Sequence, residues 1–229
     1  MQKEVRDIII LGAGPSGLFC GLHLPKQAKI LFLEKTEKSA SKLLLSAKGR
    51  GNLTNLQIDP KQDYVSDDPA FVHSAFEKYG VREFLQFLAE NGFPTQEEAN
   101  GRILLQSGKV SQFHEFLINE TEKQGRIIAY QQDVKKVERN AEGTFTVQTT
   151  SQQFIAHKVI LATGTKSVPA LGSSDIALQI AQDFNLPFRV FFPALVGFET
   201  ENNLSPLAGS SVIGKGELYV NEKKVYEQI

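Results

Sequence analysis

The sequence contains few of the residues on which several classes of protein depend. In 229 residues it has one cysteine, one methionine and no tryptophan. The single cysteine, Cys20, excludes an internal disulfide and fits a reducing compartment. Lysine plus arginine (25) balances aspartate plus glutamate (26), so no basic excess indicates binding to nucleic acid or to an anionic membrane. We therefore expect a cytoplasmic protein, with neither nucleic acid nor a membrane among its partners.

The sequence also lacks an uninterrupted apolar run of membrane-spanning length. Lys3 and Arg6 precede the apolar residues of 8–24, an order that can imitate a signal peptide. Several glycines and Pro15 break this run, so a strand, a turn and a helix explain more of its positions. Apolar residues make up 41% of the chain and charged residues 22%. These values are ordinary for one large globular domain, or for one domain with a small appendage.

The stretch Asp7–Lys35 has the pattern of a dinucleotide-binding βαβ unit. The apolar run Ile8–Leu11 predicts a buried parallel strand, and G-x-G-x-x-G follows it at Gly12, Gly14 and Gly17. In such a unit the first glycine makes a tight turn and the second lets the backbone approach a pyrophosphate. The third lets the helix pack closely on the strand. The helix N-terminus presents free N–H groups and a partial positive charge.

A second apolar run, Ile30–Leu33, ends in Glu34, at the spacing expected of the ribose-binding acid. A carboxylate here would accept hydrogen bonds from the adenosine ribose hydroxyls and would disfavour a 2′-phosphate. We therefore predict a nucleotide site, the alternative being an empty Rossmann-like crossover. Cys20 falls on the inner face of the predicted helix, and we interpret it as a core residue rather than a redox thiol.

The elements after residue 35 predict a mixed α/β order. Helices are expected from Asp68-Pro69, over Val81–Leu88 with an end at Asn91-Gly92, after a Ser107 cap, and over Ile176–Phe184. Strands are expected at Gly101–Gln106, Arg126–Tyr130, Val134–Glu138, Thr144–Thr149, Gln153–Ala156 and Lys158–Ala162, and three or four of them form an antiparallel β-meander. Residues 188–229, with a strand at Glu217–Val220, predict the start of a β-rich unit with too few residues to close on itself.

The segment Lys42–Asn55, KLLLSAKGRGNLTN, is unusual. It is too polar and too rich in glycine for a helix, and its backbone N–H groups are free to bind an anion. The alternative is a plain solvated loop. His73 and His114 each fall on a predicted helix with no second ligand at metal spacing, so we expect no metal site.

Five blocks occur in the order found in one family of flavoproteins: GAGPSG, KLLLSAKGRGNLTN, GRILLQS, VILATGTKSVP and FPALVGFET. Over about Asp7 to Thr200 the chain resembles the bacterial FAD-dependent oxidoreductases that include aminoacetone oxidase and a bile-acid-intermediate reductase. The resemblance implies an α/β fold: a Rossmann-like FAD/NAD(P)-binding domain with a parallel sheet, a β-meander crossover and the start of an inserted β-rich domain. The expected boundaries are 1–192 for the FAD domain and 193–229 for the insertion.

The resemblance also implies which residues hold the FAD. In chain order they are Gly12, Ala13, Gly14, Pro15, Ser16, Gly17, Glu34, Lys35, Lys42, Arg50, Gly51, Asn52, Leu53, Thr54, Val134, Ala162, Thr163 and Gly164. By the resemblance, the glycine motif binds the pyrophosphate, Glu34 and Lys35 bind the adenosine ribose, and residues 50–54 lie toward the isoalloxazine. Val134 meets the adenine through its backbone, and Ala162–Gly164 close the site from the end of a strand. Arg50 is the one weak candidate for a catalytic role, stabilising negative charge that develops on the flavin ring or the substrate. The alternative is a structural arginine that bridges the loop to phosphate.

The chain departs from the family pattern at several positions. Gly51 replaces the cysteine of the usual Gly-Gly-Gly-Arg-Cys-Asn core, so a thiol beside the flavin is unsupported. Leu104-Leu105 replaces a phenylalanine-proline pair, and Thr165 replaces a glycine. Relatives continue well beyond Ile229 and return to the FAD domain with a glycine-rich segment, so we expect the chain to be a fragment or a truncated copy.

These patterns favour an FAD-dependent oxidoreductase that acts on a small organic substrate, with NAD(P)H or oxygen as the redox partner. No Ser/His/Asp set or pair of carboxylates stands out at diagnostic spacing, which suits a reaction in which the cofactor is the reactant. Two alternatives remain open. One is a non-catalytic nucleotide-binding module or fragment, and the other is an NAD(P)-dependent reductase that uses the Rossmann unit directly.

Overall fold

The computed structural model describes residues 4–64, 69–168, 171–190, 201–207, 209–210, 214 and 216–228. The chain divides into two compact units, Met1–Phe191 and Phe192–Ile229. In chain order the first unit contains β1 (Val5–Leu11), α1 (Pro15–Leu22), β2 (Ile30–Leu33), α2 (Ser41–Leu45), β3 (Thr54–Asn55), α3 (Pro69–Lys78), α4 (Val81–Glu90), β4 (Thr95–Glu97), β5 (Arg102–Leu105), α5 (Val110–Lys123), β6 (Ile127–Ala129), β7 (Val134–Arg139), β8 (Phe145–Thr149), β9 (Gln153–Leu161) and α6 (Ile176–Asp183).

A six-stranded sheet in the order β6-β2-β1-β9-β8-β7 forms the centre of the first unit. Strands β6, β2, β1 and β9 run parallel, whereas β9, β8 and β7 form an antiparallel meander. The register pairs Leu11 with Leu33 on one side and with Leu161 on the other. The residues that follow these three leucines, Gly12, Glu34 and Ala162, therefore lie next to one another at the same end of the sheet.

The alternation of side chains along β1 and β2 divides the core into two layers. Ile8, Ile10 and Phe32 pack on one face of the sheet, against residues of α1, α4 and α5. Ile9 and Leu11 pack on the opposite face with residues of the meander and of α6. Because both faces are covered, β1 and β2 are near-continuous apolar runs, as a buried parallel sheet requires.

The predicted strands Gln153–Ala156 and Lys158–Ala162 are wrong as separate elements, because a single strand, β9, spans both. Its first half pairs antiparallel with β8, and the strand also pairs parallel with β1 from Ile155 to Leu161. The sequence between the two predicted strands has no glycine or proline to turn the chain. The predicted strand Arg126–Tyr130 corresponds to β6, but β6 lies at the parallel edge of the sheet and not in the meander.

Two local predictions about helices are also wrong. The segment Lys42–Asn55 begins within a helix, α2, followed by a 3-10 turn at Ser46–Gly49. Leucine and lysine are favourable in helices and Leu43 packs against the core, so the glycine-rich composition of the later residues does not extend to the start of the segment. Ser107 does not cap α5: Lys109 occupies the N-cap position, and the Ser107 hydroxyl accepts a hydrogen bond from the Lys109 N–H at 3.3 Å.

The other predicted helices agree with α3, α4 and α6, although Asp68 lies outside the described residues. A three-stranded sheet in the order β3-β5-β4 contains the predicted strand Gly101–Gln106 as β5. Among the described ranges, no helix combines the length and the apolar composition that crossing a membrane requires.

The second unit contains a 3-10 turn at Ser205–Leu207 and an antiparallel hairpin of β10 (Gly216–Val220) and β11 (Lys223–Gln228). Asn221 and Glu222 form the two-residue turn, and both have positive φ, as a hairpin turn of this length prefers. Strand β10 includes the predicted strand Glu217–Val220.

A buried arginine holds the C-terminal end of α1. Arg126 is 3% exposed, and its guanidinium donates hydrogen bonds to the carbonyl oxygens of Gly21 and Leu24, the latter at 2.9 Å. Burial lowers the pKa of the Arg126 guanidinium from its ordinary value, but arginine remains charged at neutral pH. The cation thus lies against carbonyls at the negative end of the helix dipole.

We predict that Arg126→Met lowers the free energy of unfolding by roughly 2–4 kcal/mol, because two buried carbonyls lose a charged donor. Denaturant titration measures this change. Arg82→Met, at an exposed position of α4, is the matched control and should change stability by less than about 0.5 kcal/mol. Equal stabilities of the two variants would show that Arg126 contributes no net stabilisation.

Candidate functional site

A cavity of about 310 Å³ lies at the carboxyl ends of β1, β2 and β9. After β1 the chain crosses to β2 on one side of β1, while β9 lies on the other side. The carboxyl ends of these strands therefore form the topological switch point, where open α/β sheets bind ligands. The cavity is lined by Leu11, Gly12, Gly14, Pro15, Ser16, Leu33, Glu34, Lys35, Thr36, Lys38, Ala40, Ser41, Lys42, Gln132, Asp133, Val134, Ala162, Thr163, Gly164, Leu171, Gly172, Ser173, Ser174 and Ile176.

Two of the three motif glycines allow α1 to approach the sheet closely. Gly12 has a φ of +100°, and a Cβ atom there would lie 2.6 Å from the Ala162 carbonyl oxygen. A Cβ atom on Gly17 would lie 2.2 Å from the Gly12 carbonyl oxygen. Both obstacles are backbone atoms, which cannot rotate away. A side chain at Gly17 would force α1 away from the turn after β1, and one at Gly12 would force that turn away from Ala162 at the end of β9.

Gly14 lies at the N-terminus of α1, and its surroundings differ from those of the other two. A Cβ atom on Gly14 would meet no heavy atom within 4 Å, and its φ of −71° suits any residue. The first turn of α1 contains no acidic residue, and no side chain caps it. The N–H groups of that turn, and the positive end of the helix dipole, therefore lie at the cavity without a side chain of the turn that neutralises them.

Glu34 lies beside the glycine turn because Leu33 is paired with Leu11. One carboxylate oxygen, Oε2, accepts a hydrogen bond from the Ala13 N–H at 2.9 Å. The other, Oε1, accepts from the Thr36 N–H at 2.9 Å. The carboxylate is thus fixed at the cavity wall and retains lone pairs that can accept further hydrogen bonds.

The remaining wall of the cavity combines basic and neutral polar groups. Lys42 Nζ donates to the Thr165 carbonyl oxygen at 3.3 Å, and Lys35 Nζ lies 3.6 Å from an Asp133 carboxylate oxygen. Thr163 Oγ1 is buried and has no hydrogen-bond partner in the part of the chain that is described. A buried hydroxyl without a partner costs stability, so its position in the cavity wall fits a ligand with a polar group.

The structure brings together most of the predicted cofactor residues. Gly12, Gly14, Pro15, Ser16, Glu34, Lys35, Lys42, Val134, Ala162, Thr163 and Gly164 all line the cavity. Ala13 and Gly17 are buried behind it. Ala13 still contributes, because its N–H binds Glu34 and its carbonyl oxygen accepts from the Ala40 N–H at 2.9 Å.

The predicted residues of 50–54 lie elsewhere. Asn52, Leu53 and Thr54 line a second cavity of about 350 Å³, which shares Pro15 and Ser16 with the first. Phe19, Phe76, Tyr79, Phe84 and Phe113 supply most of the apolar wall of this second cavity.

Arg50 lines neither cavity, since its Nη1 lies 2.5 Å from the Glu98 carboxylate, which also binds Arg102 at 3.4 Å. Gly51 is buried and has a φ of +77°, and a Cβ atom there would lie 2.6 Å from Val110 Cγ2. The cysteine of the family pattern would therefore be strained in this conformation of the loop.

Sequence reasoning missed part of the cavity wall. Thr36, Lys38, Gln132, Asp133 and the segment Leu171–Ser174 line the cavity but carry no dinucleotide motif. One available signal was the small, polar stretch Gly172-Ser173-Ser174-Asp175 directly before α6, a composition typical of a helix N-terminus. Among the described residues, no group of three or more histidine, cysteine, aspartate or glutamate side chains has metal-binding geometry.

Comparison with known proteins assigns the fold to a family. Residues 6–198 match the family described as the HI0933-like protein Rossmann domain. The chain is 35% identical to ribosomal RNA dihydrouridine synthase of Haemophilus influenzae over 218 residues, covering 92% of this chain and 54% of that protein. It is 28% identical to 3-dehydro-bile acid delta(4,6)-reductase of Clostridium scindens over 229 residues, covering 92% and 55%. The chain thus spans about half the length of these curated relatives.

A solved structure shows the same fold. A flavocytochrome c3 fumarate reductase in its open conformation superposes with a TM-score of 0.54 at 16% sequence identity, covering 79% of this chain and 40% of that one. The family match confirms the flavoprotein family predicted from the motifs, its Rossmann-type α/β fold and FAD as the cofactor of the family.

The glycine geometry predicts losses of stability of different size for two similar substitutions. Gly17→Ala should lower the free energy of unfolding by roughly 1–3 kcal/mol, because the new methyl group overlaps the Gly12 carbonyl. Gly14→Ala should cost less than about 1 kcal/mol, because its site is open and only N-cap preference changes. Denaturant titration of both variants without ligand tests this contrast. Equal losses would contradict the packing role assigned to Gly17.

Proposed function

The chain belongs to the HI0933-like Rossmann family, and we propose that it binds FAD in the 310 Å³ cavity as part of a flavin-dependent oxidoreductase. The observation that carries this proposal is the register of β1, β2 and β9, which brings the glycine turn, Glu34 and Thr163 to one edge of the sheet. This cavity provides the glycine turn for a pyrophosphate and the Glu34 carboxylate as a hydrogen-bond acceptor for a ribose. It also contains the buried Thr163 hydroxyl, which has no hydrogen-bond partner among the described residues.

The proposed contacts follow from the chemistry of the groups. The pyrophosphate would face the open side of Gly14 and the N–H groups of the first turn of α1. Lys42, also in the cavity wall, adds positive charge. The ribose hydroxyls would donate to the remaining lone pairs of Glu34, and the adenine would lie toward Val134. When bound, FAD supplies the hydride chemistry, and the protein binds and orients the reactants.

The second cavity is the proposed location of the reactive end. It begins where the first one ends, since Pro15 and Ser16 line both. Its aromatic side chains provide flat apolar surfaces for a planar ring, while Asn52 and Thr54 provide polar groups at its wall. Arg50, paired with Glu98, fits an anchor of the 46–52 loop better than a group that stabilises charge on the ring.

The substrate has two candidates of different chemical class. A small organic molecule fits the general chemistry of the family, as in the bile-acid reductase relative. The uracil base of an RNA is the second candidate, because the Haemophilus influenzae relative at 35% identity is named for the formation of dihydrouridine in ribosomal RNA. That reaction adds a hydride and a proton across a carbon–carbon double bond of the base, and it consumes a reductant such as NAD(P)H. This candidate revises the expectation that no nucleic acid is involved.

The first prediction of the proposal is that the protein binds FAD. After incubation with FAD and removal of the free cofactor, the protein should show absorption bands near roughly 370 and 450 nm, because the flavin remains intact as the redox group. A colourless protein after this treatment would refute FAD binding by the chain. Binding of NADH without binding of FAD would instead favour an NAD(P)-dependent reductase whose Rossmann unit binds the nicotinamide cofactor directly.

The second prediction concerns the ribose acceptor. Glu34→Ala should weaken FAD binding by at least about tenfold, the value of one hydrogen bond to a charged group. Titration with FAD measures the dissociation constant. Glu37→Ala is the matched control, since Glu37 is exposed and does not line the cavity. If both variants bind FAD as tightly as the unmodified protein, Glu34 is only a residue at the end of a strand.

The third prediction separates the two substrates. If an RNA is reduced, the FAD-loaded protein with NADH or NADPH should convert uridines of unmodified ribosomal RNA to dihydrouridine, detected by mass spectrometry of the digested RNA. The same protein should reduce free uridine far more slowly, because phosphate contacts contribute much of RNA affinity. Oxidation of NAD(P)H without any change in the mass of the RNA would contradict the RNA candidate and favour a small-molecule substrate.

A further inference from the structure

The Glu34 carboxylate is held by a residue that no dinucleotide motif includes. Thr36 donates its backbone N–H to Glu34 Oε1 at 2.9 Å, and its hydroxyl Oγ1 lies 2.8 Å from the same oxygen. Thr36 Oγ1 also lies 2.7 Å from the Lys38 carbonyl oxygen, so its single proton has two acceptors. These contacts fix the Thr36 side chain in one χ1 rotamer, because any rotation of Cγ2 also moves Oγ1.

The methyl group of Thr36 faces the loop that precedes α6. A Cβ atom added to Gly172 would lie 2.4 Å from Thr36 Cγ2, closer than two carbon atoms can approach without displacement. Gly172 also has a φ of +81°, which favours glycine. Thr36 cannot yield by rotating without losing its hydroxyl contact to Glu34.

The residues on the two sides of Gly172 are joined to one another. The Ser173 hydroxyl lies 2.7 Å from the Ser167 carbonyl oxygen and 2.8 Å from that of Val168. Asp175, the N-cap residue of α6, forms an ion pair with Lys166. These contacts oppose a local shift of Gly172 within the loop, so a side chain at position 172 would press on Thr36.

We propose that Thr36 and Gly172 are positioning residues for the ribose acceptor. Thr36 orients the Glu34 carboxylate, and the absence of a side chain at Gly172 leaves room for the Thr36 rotamer that does so. The inference rests on the proposed binding of FAD in this cavity, and it predicts that position 172 controls cofactor affinity through Thr36.

A double-mutant cycle tests this inference. Gly172→Ala should raise the FAD dissociation constant by at least about tenfold, since Glu34 loses its orientation. Thr36→Ser removes Cγ2 but keeps the hydroxyl, so in the Thr36→Ser background the same Gly172→Ala change should raise the constant by less than about threefold. Titration of the unmodified protein, the two single variants and the double variant with FAD gives the coupling free energy between positions 36 and 172.

Gly143→Ala is the control for backbone strain. Gly143 has a φ of +83° in the turn between β7 and β8, a Cβ atom there would meet nothing within 4 Å, and it does not line the cavity. It should change the FAD dissociation constant by less than about twofold. If Gly172→Ala weakens FAD binding no more than Gly143→Ala does, or equally in both Thr36 backgrounds, the inference is overturned.

The thermal stability of the same proteins without FAD separates this failure from failure of the proposed function. The Tm loss caused by Gly172→Ala should shrink in the Thr36→Ser background, because the steric contact exists without the cofactor. Coupling in Tm together with no FAD binding by the unmodified protein would refute the proposed function while retaining the contact. FAD binding without coupling in Tm would refute the contact itself.

Discussion

The close approach of α1 to the turn after β1 is the constraint on which the rest of the site depends. It exists because Gly17 has no side chain where the Gly12 carbonyl lies. With α1 at this distance, its N-terminus reaches the sheet edge at which Glu34 and Ala162 emerge. Arg126 holds the opposite end of the same helix through two carbonyl oxygens. The N-terminal end of α1 is thus positioned by close packing at Gly17, and its C-terminal end is held by hydrogen bonds from the buried Arg126.

The order of the strands follows from the same short stretch of chain. β1 is central because both of its faces and both of its edges are covered, and its apolar residues are those that the sequence identified as a buried parallel strand. The glycine turn and the spacing to Glu34 were predictable because each is a local pattern with one physical purpose. Ala162, Thr163 and Gly164 were predicted only from the resemblance to the flavoprotein family. The paired register of Leu11, Leu33 and Leu161 then places these patterns together.

The parts that sequence reasoning misjudged depend on contacts between distant segments. β9 is continuous because β8 pairs with its first half and β1 with its second, and neither partner can be inferred from residues 153–161 alone. The helix α2 was missed because the segment was judged by its whole composition, whereas its first residues are good helix formers and Leu43 packs against the core. Thr36 and Gly172 meet across more than a hundred residues, so no spacing rule links them. Arg50 stays a predicted cofactor residue, and its guanidinium forms an ion pair with Glu98.

The loop at Gly51 has a consequence for chemical selectivity. Where the family pattern has a cysteine, this chain has a left-handed glycine packed beneath Val110. The sole thiol, Cys20, lies on α1, where burial raises its pKa and lowers its fraction of reactive thiolate at neutral pH. An electrophile that reacts with thiols would therefore find no nucleophilic sulfur in the loop that contains Gly51.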